Sequence, residues 1–426
     1  MLKLLFADGQ GRVYEHPELL APAPPEAGEP RPLPPFATLS VLPGRRPVGI
    51  DPATGQLVEM KARSFRPLAV GAVLPPGWTR TALPAARRAA LAPVLPQWAY
   101  TAAAWDEARG CHVAWALRTD RREHWDPADH STGDLPRLVE ARLATDGNPL
   151  LRQLARCALE YRCFTAQNTF YRRDEGAIPA SSGCNARCVG CISEQPPEGP
   201  PPSHERLREA PEAESMAAIG AAHLESAPGR TMVSFGQGCE GEPLTRYKLV
   251  AESIRRMRAR TGRGSININT NGSLPAALDA LIDAGLDACR ISLNSAVKDL
   301  YEAYYRPVNY AWEDVEESVR RARRRGIYTA LNLLTFPTVT DRAGEIDALC
   351  ALAASARVDQ VQVRSLAIDP DQYLAVAEGR GGGGPALGIP ELLRRLKRAR
   401  RGLLIGNFAR GMRERGRETN RRVVAS

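Results

Sequence analysis

The sequence predicts an α/β protein built on parallel strands, with a β-rich unit before the core and a basic helical stretch after it. Three observations carry that expectation. Between Ala177 and about Asp369, short apolar runs alternate with helical patterns, and from Thr231 on the runs begin again about every 20 to 40 residues. That is the spacing of βα units, which favour parallel strands joined by right-handed crossovers. Residues 1 to about 135 instead show short β-type runs divided by Pro, Gly and Asp. From Pro390 to the end, twelve Lys or Arg stand against Glu391, Glu414 and Glu418. The expected organisation is therefore a β-rich accessory domain over 1–135, a helical linker over 136–176, a core over 177–370, and a Gly-rich linker with a basic helical tail over 371–426.

In the first unit, Leu2–Phe6 and Arg12–Tyr14 flank Asp8-Gly9 as a strand, a tight turn and a second strand. Pro22 to Pro35 is proline-dense and reads as a loop. Ser40–Leu42, Pro47–Ile50, Leu57-Val58, Trp98–Thr101 and His112–Trp115 are further strand candidates. Leu138 to Tyr161 carries a helical pattern that Asn148-Pro149 divides in two.

In the core, Ala177-Ile178 leads off. Thr231–Phe235, Ser265–Asn269, Cys289–Leu293, Tyr328–Leu334 and Gln360–Arg364 follow as strands. Helices are expected over Tyr247–Arg260, Ala276–Ala284, Trp312–Arg325 and Ala343–Ala356. Glycines 379 to 384 make a flexible break. Leu392, Leu393, Leu396 and Ala399 then mark a basic amphipathic helix, and the chain beyond Gly402 is expected to fray. Periodicity alone fits a barrel or a doubly wound sheet.

The net charge of +9 equals the excess in the tail, so the rest of the chain is balanced. No apolar run approaches the length of a membrane span. Asp8 interrupts the first apolar run too early for a signal peptide. Nine cysteines, three of them clustered, suit a reducing compartment. The expected location is the cytoplasm.

The cluster is Cys184-Asn-Ala-Arg-Cys188-Val-Gly-Cys191, spaced C-x3-C-x2-C. Thiolates are soft ligands for iron–sulfur clusters and zinc. Three protein ligands with one open position are the mark of a site that does chemistry. A zinc site with a distant fourth ligand, or a chance grouping, would also give three cysteines. The stretch is similar to the cluster loop of the radical S-adenosylmethionine (SAM) superfamily. That resemblance implies a partial, open, TIM-like (β/α)6 barrel. It implies a [4Fe-4S] cluster on Cys184, Cys188 and Cys191, with the free iron chelating the amino and carboxylate groups of SAM. Reductive cleavage would give a 5′-deoxyadenosyl radical that abstracts a hydrogen atom from a substrate the sequence does not name.

Other segments resemble the same family. Gly241-Glu242-Pro243, in the run Gly236-Gln-Gly-Cys-Glu-Gly-Glu-Pro243, is similar to its SAM amino-group element. The longer loop leaves Glu240 and Glu242 as competing candidates, and a plain glycine-rich strand-to-helix loop is the ordinary alternative. Asn269 and Asn271 after the third strand, and Ser292 and Asn294 after the fourth, lie where the family approaches SAM. Their hydroxyls and amides suit a ribose or a carboxylate. Asn332 and Arg364 put polar side chains inside apolar runs and face either a ligand or an internal partner. Arg306 suits an anion or a plain surface loop. The family's usual aromatic residue before the third cysteine is here Gly190. The adenine contact must then come from elsewhere, for example Ile192.

Cys289 and Cys350 read as small buried hydrophobes, Cys157-x5-Cys163 is too loose for a second cluster, and Cys239, in the glycine loop, either approaches the substrate or, as the more ordinary reading, is structural. His124, Asp126, Asp129 and His130 are four possible metal ligands in a loop, where such residues more often cap turns. The resemblance implies a reductant such as flavodoxin or ferredoxin. An RNA- or ribosome-directed enzyme using the basic tail is an alternative, as is a non-enzymatic iron–sulfur or zinc protein. No residue stands out as a second hydrogen donor.

Overall fold

The computed structural model describes residues 1–121, 125–197, 199–209, 211–226 and 231–410. Its centre is a parallel sheet of seven strands in chain order. They are β1 (Glu175–Ala177), β2 (Met232–Phe235), β3 (Ser265–Thr270), β4 (Ala288–Leu293), β5 (Tyr328–Thr335), β6 (Gln360–Ser365) and β7 (Leu404–Gly406). Unbroken sequential order with helical crossovers curls such a sheet into a half-barrel.

The sheet's two faces follow from alternation along each strand. Ile266 and Ile268, Ile291 and Leu293, Leu331 and Leu333, and Val361 and Val363 pack in the main core. Their partners there include Val250, Ile254 and Met257 of the helix Tyr247–Arg260 and Val315 and Val319 of Trp312–Arg324. The intervening residues face the concave side. Ala288, Tyr328 and Ala330 form a small apolar floor there. Above it, Arg290 bonds to Glu175 and lies 3.1 Å from Ser234 Oγ. Ion pairing closes that layer, because a charge buried there without a partner is costly.

Six strands were expected and seven are present. The seventh comes from the stretch expected to fray: the basic helix Ile389–Ala399 is a crossover that delivers β7 to the edge of β6. A three-residue strand shows no period of its own. Within that helix, Arg394 and Arg395 pair with Glu391, and Arg395 also reaches Asp347. The tail's remaining basic residues after Arg410 lie outside the described residues, as does His124. Among the described residues no helix is long and apolar enough to cross a membrane.

The N-terminal unit is antiparallel. Its largest sheet has ten strands, and Leu2–Ala7 pairs with Val13–Leu20 as the turn at Asp8 requires. The strand expected at Trp98 begins only at Thr101 and runs to Asp106. Leu68–Val73 was not foreseen, and it lies inside the sheet between the strands at Thr38 and Thr101. The unit is fastened to the β6–β7 side of the half-barrel. Buried Arg45 bonds to Asp369 at 2.6 Å and to Asp371 at 2.9 Å. Arg80, also buried, donates to Tyr100 O and Leu366 O and lies over the Phe336 ring. Asp120 accepts from the backbone of Asn407 and Phe408 at 3.0 and 3.2 Å.

Candidate functional site

The cysteine loop follows β1 and crosses to the ends of β3 and β4. Arg187 N donates to Tyr305 O at 3.0 Å, Val189 N to Tyr304 O at 2.9 Å, and Val308 N to Asn185 O at 2.9 Å. The loop is thus laid antiparallel along Tyr304–Val308. Asn185 is clamped as well: Asn271 Nδ2 donates to its Oδ1, and its Nδ2 donates to Ser273 Oγ, both at 2.9 Å. Asn271, one of the expected SAM contacts, therefore has a bonding duty to the cysteine loop itself.

The loop after β2 is pressed against the cysteine loop. Gly236 has φ +78°, and a Cβ there would sit 1.9 Å from Asn269 O. A Cβ on Gly241 would sit 2.0 Å from Gly183 O, one residue before Cys184. Only glycine permits those approaches. Gly241 N donates to Ser181 O at 2.7 Å and Glu242 N to Gly183 O at 2.9 Å.

The two glutamates have different partners. Glu240 accepts four backbone N–H bonds, from Ala180 and Ser181 on one oxygen and Gly236 and Gln237 on the other, at 2.7 to 3.0 Å. It ties the end of β1 to the end of β2 and keeps no oxygen for a ligand. Glu242 accepts from Leu244 N, Thr270 Oγ1 and Asn271 N, and it starts the turn Pro243–Arg246. Burial pushes both carboxyls up to about 7. Pro243 is buried in the same turn.

At the strand ends, Asn269, Ser292, Asn332 and Arg364 are half-buried. Asn269 donates to Phe235 O at 3.1 Å, and Asn332 donates to Ser292 Oγ at 3.1 Å. The register sets Ser292 beside Asn332 and Leu334 beside Arg364. Arg364 has no carboxylate partner among the described residues, and burial, with neighbouring Arg290, pushes it down to about 10. Below it, Gln362 is buried with both side-chain polar atoms unpartnered among the described residues. Asn294 stands apart: it is fully buried and donates to Leu300 O and Tyr373 Oη, so it braces two helices.

Gly190 has a physical counterpart. A Cβ there would lie 2.7 Å from the Tyr304 hydroxyl, so a tyrosine from another segment fills the room an aromatic neighbour of Cys191 would need. Ile192 packs on Gly238 instead. Cys239 is buried beside Cys157, away from the concave face, and Cys289 is buried while Cys350 is half-buried. Asp126 caps a turn by accepting from Ala128 N, and His130 bonds to Asp126 O and Asn168 Oδ1.

Residues 178–350 match the family model described as the radical SAM superfamily. That segment is a radical SAM domain. The chain's curated relatives include the GTP 3′,8-cyclase of Chlorobaculum tepidum, 27% identical over 194 residues that make up 45% of this chain and 53% of the relative. The chain thus spans about half the length of that relative. Among solved structures, Streptococcus suis SuiB bound to its precursor peptide SuiA is 15% identical with a TM-score of 0.36, covering 51% of this chain and 43% of that one. A radical SAM methyltransferase from Sphaerobacter thermophilus is 17% identical with a TM-score of 0.38, covering 54% and 65%.

Radical SAM proteins are enzymes that use a [4Fe-4S] cluster and SAM. The three thiols of this radical SAM domain suit that group. They lie on one fastened loop, close enough that Cys191 and Cys184, after burial, push Cys188 well above the ordinary thiol range. Cys188 and Cys191 line a cavity of about 630 Å³. Among the described residues no three His, Cys, Asp or Glu are set to hold a single metal ion. A cubane asks for something different, since each thiolate binds its own iron and the sulfurs stand further apart.

Proposed function

We propose that this chain is a radical SAM enzyme whose Cys184, Cys188 and Cys191 hold a [4Fe-4S] cluster at the mouth of the half-barrel. The observation that carries the reading is the seating of the cysteine loop on the glycine loop, with Gly183 O against Gly241 beside three thiols that have no fourth cysteine nearby in sequence. When bound, the cluster supplies one low-potential electron for reductive cleavage of SAM to a 5′-deoxyadenosyl radical.

The chain's own residues divide the remaining work. Glu240 and Glu242 shape the loop from Gly236 to Pro243, because their carboxylates are occupied by backbone amides and a hydroxyl. The loop's main-chain carbonyls are then the acceptors for the ammonium of SAM. Asn269, Ser292 and Asn332 offer amides and a hydroxyl to the ribose or carboxylate. Asn271 positions the cysteine loop through Asn185. Arg364 and Gln362 bring a cation and an unpartnered amide to the far wall, where a substrate meets them. The N-terminal unit closes the β6–β7 side and helps keep water from the radical. A small reducing protein such as flavodoxin or ferredoxin is the electron source.

The test is anaerobic reconstitution with iron and sulfide, then reduction with and without SAM. About four irons per chain, an electron paramagnetic resonance signal shifted by SAM, and slow release of 5′-deoxyadenosine are expected. In Cys188→Ser, iron content and the SAM-shifted signal should both collapse. One bound zinc, or a cluster indifferent to SAM, would sink the proposal.

A further inference from the structure

The three thiols of the loop are not equivalent. Arg206 places Nη2 3.5 Å from Cys191 Sγ as a hydrogen-bond donor. Its Nε donates to Ser193 Oγ at 3.1 Å, and that hydroxyl lies 3.6 Å from the same sulfur. Nη1 of Arg206 pairs with Glu194. Cys184 and Cys188 take no side-chain hydrogen bond among the described residues.

The position of the guanidinium is fixed from both directions. On the backbone, His204 N donates to Ile192 O at 2.9 Å and Leu207 N to Cys239 O at 2.8 Å, so Arg206 is held between two tethers. On the side chain, Ser193 and Glu194 fix the planar fork. Arg206 is 16% exposed, whereas Glu194 is 64% exposed. Its donor faces the sulfur from a partly desolvated position, and its counter-ion faces water.

We propose that Arg206, oriented by Ser193 and opposed by Glu194, is a positioning residue that sets the reduction potential of the cluster through Cys191. The inference rests on the cluster assignment above. Reduction adds negative charge to a core already carrying thiolates. A donor on a ligand sulfur stabilises the reduced state more than the oxidised one and raises the potential. Glu194 acts in the opposite sense and more weakly, since water screens it.

The experiment is an electron paramagnetic resonance redox titration of the reconstituted full chain, without SAM or substrate. Wild type is compared with Arg206→Met, Arg206→Lys and Glu194→Gln. Arg206→Met should lower the ratio of reduced to oxidised cluster at a fixed solution potential about tenfold, which is about 59 mV for one electron. Arg206→Lys keeps the charge and should recover part of that shift. Glu194→Gln removes an opposing charge and should move the potential the other way by less. A scaffolding role for Arg206 predicts no such opposed pair of signs. A midpoint unchanged in both Arg206→Met and Glu194→Gln overturns the proposal. Where Arg206→Met fails to take up iron, exposed Glu194→Gln carries the test alone: a raised midpoint supports it and an unmoved one overturns it. Wild type without a reducible cluster would overturn the assignment of Cys184, Cys188 and Cys191 instead, which is a separate result.

Discussion

Glu240 and Glu242 are separated by a single glycine, and that glycine shows how tightly the site is packed. Gly241 N is bonded to Ser181 O, and its Cα faces Gly183 O with no room for a methyl group. Because the obstacle is a backbone carbonyl, no side-chain rotation can relieve it. Gly241→Ala should therefore push the glycine loop away from the cysteine loop, at a cost on the order of 1–3 kcal/mol in overpacking. Thermal unfolding should show the lower stability, and reconstitution should show iron still bound but SAM affinity reduced, since all three cysteines remain. A variant as stable and as SAM-competent as wild type would mean that the two loops are not pressed together. The cysteine loop is readable from sequence because thiols have few reasons to gather. The parts of Glu240 and Glu242 are not readable, because half of what occupies them, Ala180 and Ser181 for one and Thr270 and Asn271 for the other, lies 28 to 60 residues away. Arg206 is hidden for the same reason: it meets Cys191 through space, fifteen residues on.

The helix Ala213–Ser226 lies against β1, and His223 is its point of contact. The ring packs on Gly176, where an added Cβ would meet it at 3.0 Å. Nε2 is 3.3 Å from Asp174 O, and Nδ1 has no partner among the described residues. Burial pushes its pKa down to about 4. An unfolded histidine titrates near 6.5, so between about 6.5 and 4 the unfolded chain binds a proton that the folded chain refuses. Stability contributed by neutral His223 is present above that window and lost as pH falls through it, by about 3 kcal/mol in all. Glu240 and Glu242, pushed up, run in the opposite sense. The informative quantity is thus the difference between wild type and His223→Gln, measured by urea unfolding from pH 7 to pH 4. That difference should narrow steadily on acidification; a constant difference would refute the buried neutral histidine. This helix was not foreseen, because Met216, Ile219, Gly220 and Leu224 are all buried and leave no polar stripe to reveal a period. Tyr247–Arg260 and Trp312–Arg324, with one charged and one apolar side, match their expected limits within a residue. Leu68–Val73 carries Val70 and Val73, but Gly71 interrupts it and Pro67 and Pro75-Pro76 bound it closely, so its sequence reads as a loop.

At the scale of the whole molecule, the question is what holds an antiparallel unit to a parallel half-barrel. The parallel core follows from the repeat of apolar runs, but the join does not, since it depends on pairs 274 to 326 residues apart in the chain. Arg45 is the centre of it. Its guanidinium bonds to Asp369, which also accepts from Leu95 N at 2.8 Å and from Asp371 N at 3.0 Å. One buried carboxylate thus gathers the Pro93–Trp98 stretch, the start of the helix Pro370–Ala377 and Arg45 itself. The same stretch reaches the site, for Gln97 Nε2 donates to Cys191 O at 3.1 Å. Arg45→Met leaves Asp369 buried without its cation, a change that costs about 3–5 kcal/mol, whereas Arg45→Lys keeps the charge and loses less. Five of the six tryptophans precede residue 130, so tryptophan fluorescence during urea unfolding reports mainly on the N-terminal unit. In Arg45→Met its transition should move to lower urea and separate from the loss of helix seen by circular dichroism, because the two units no longer unfold as one. Coincident transitions at the wild-type midpoint would show that the apolar contacts and Arg80 hold the units together without Arg45.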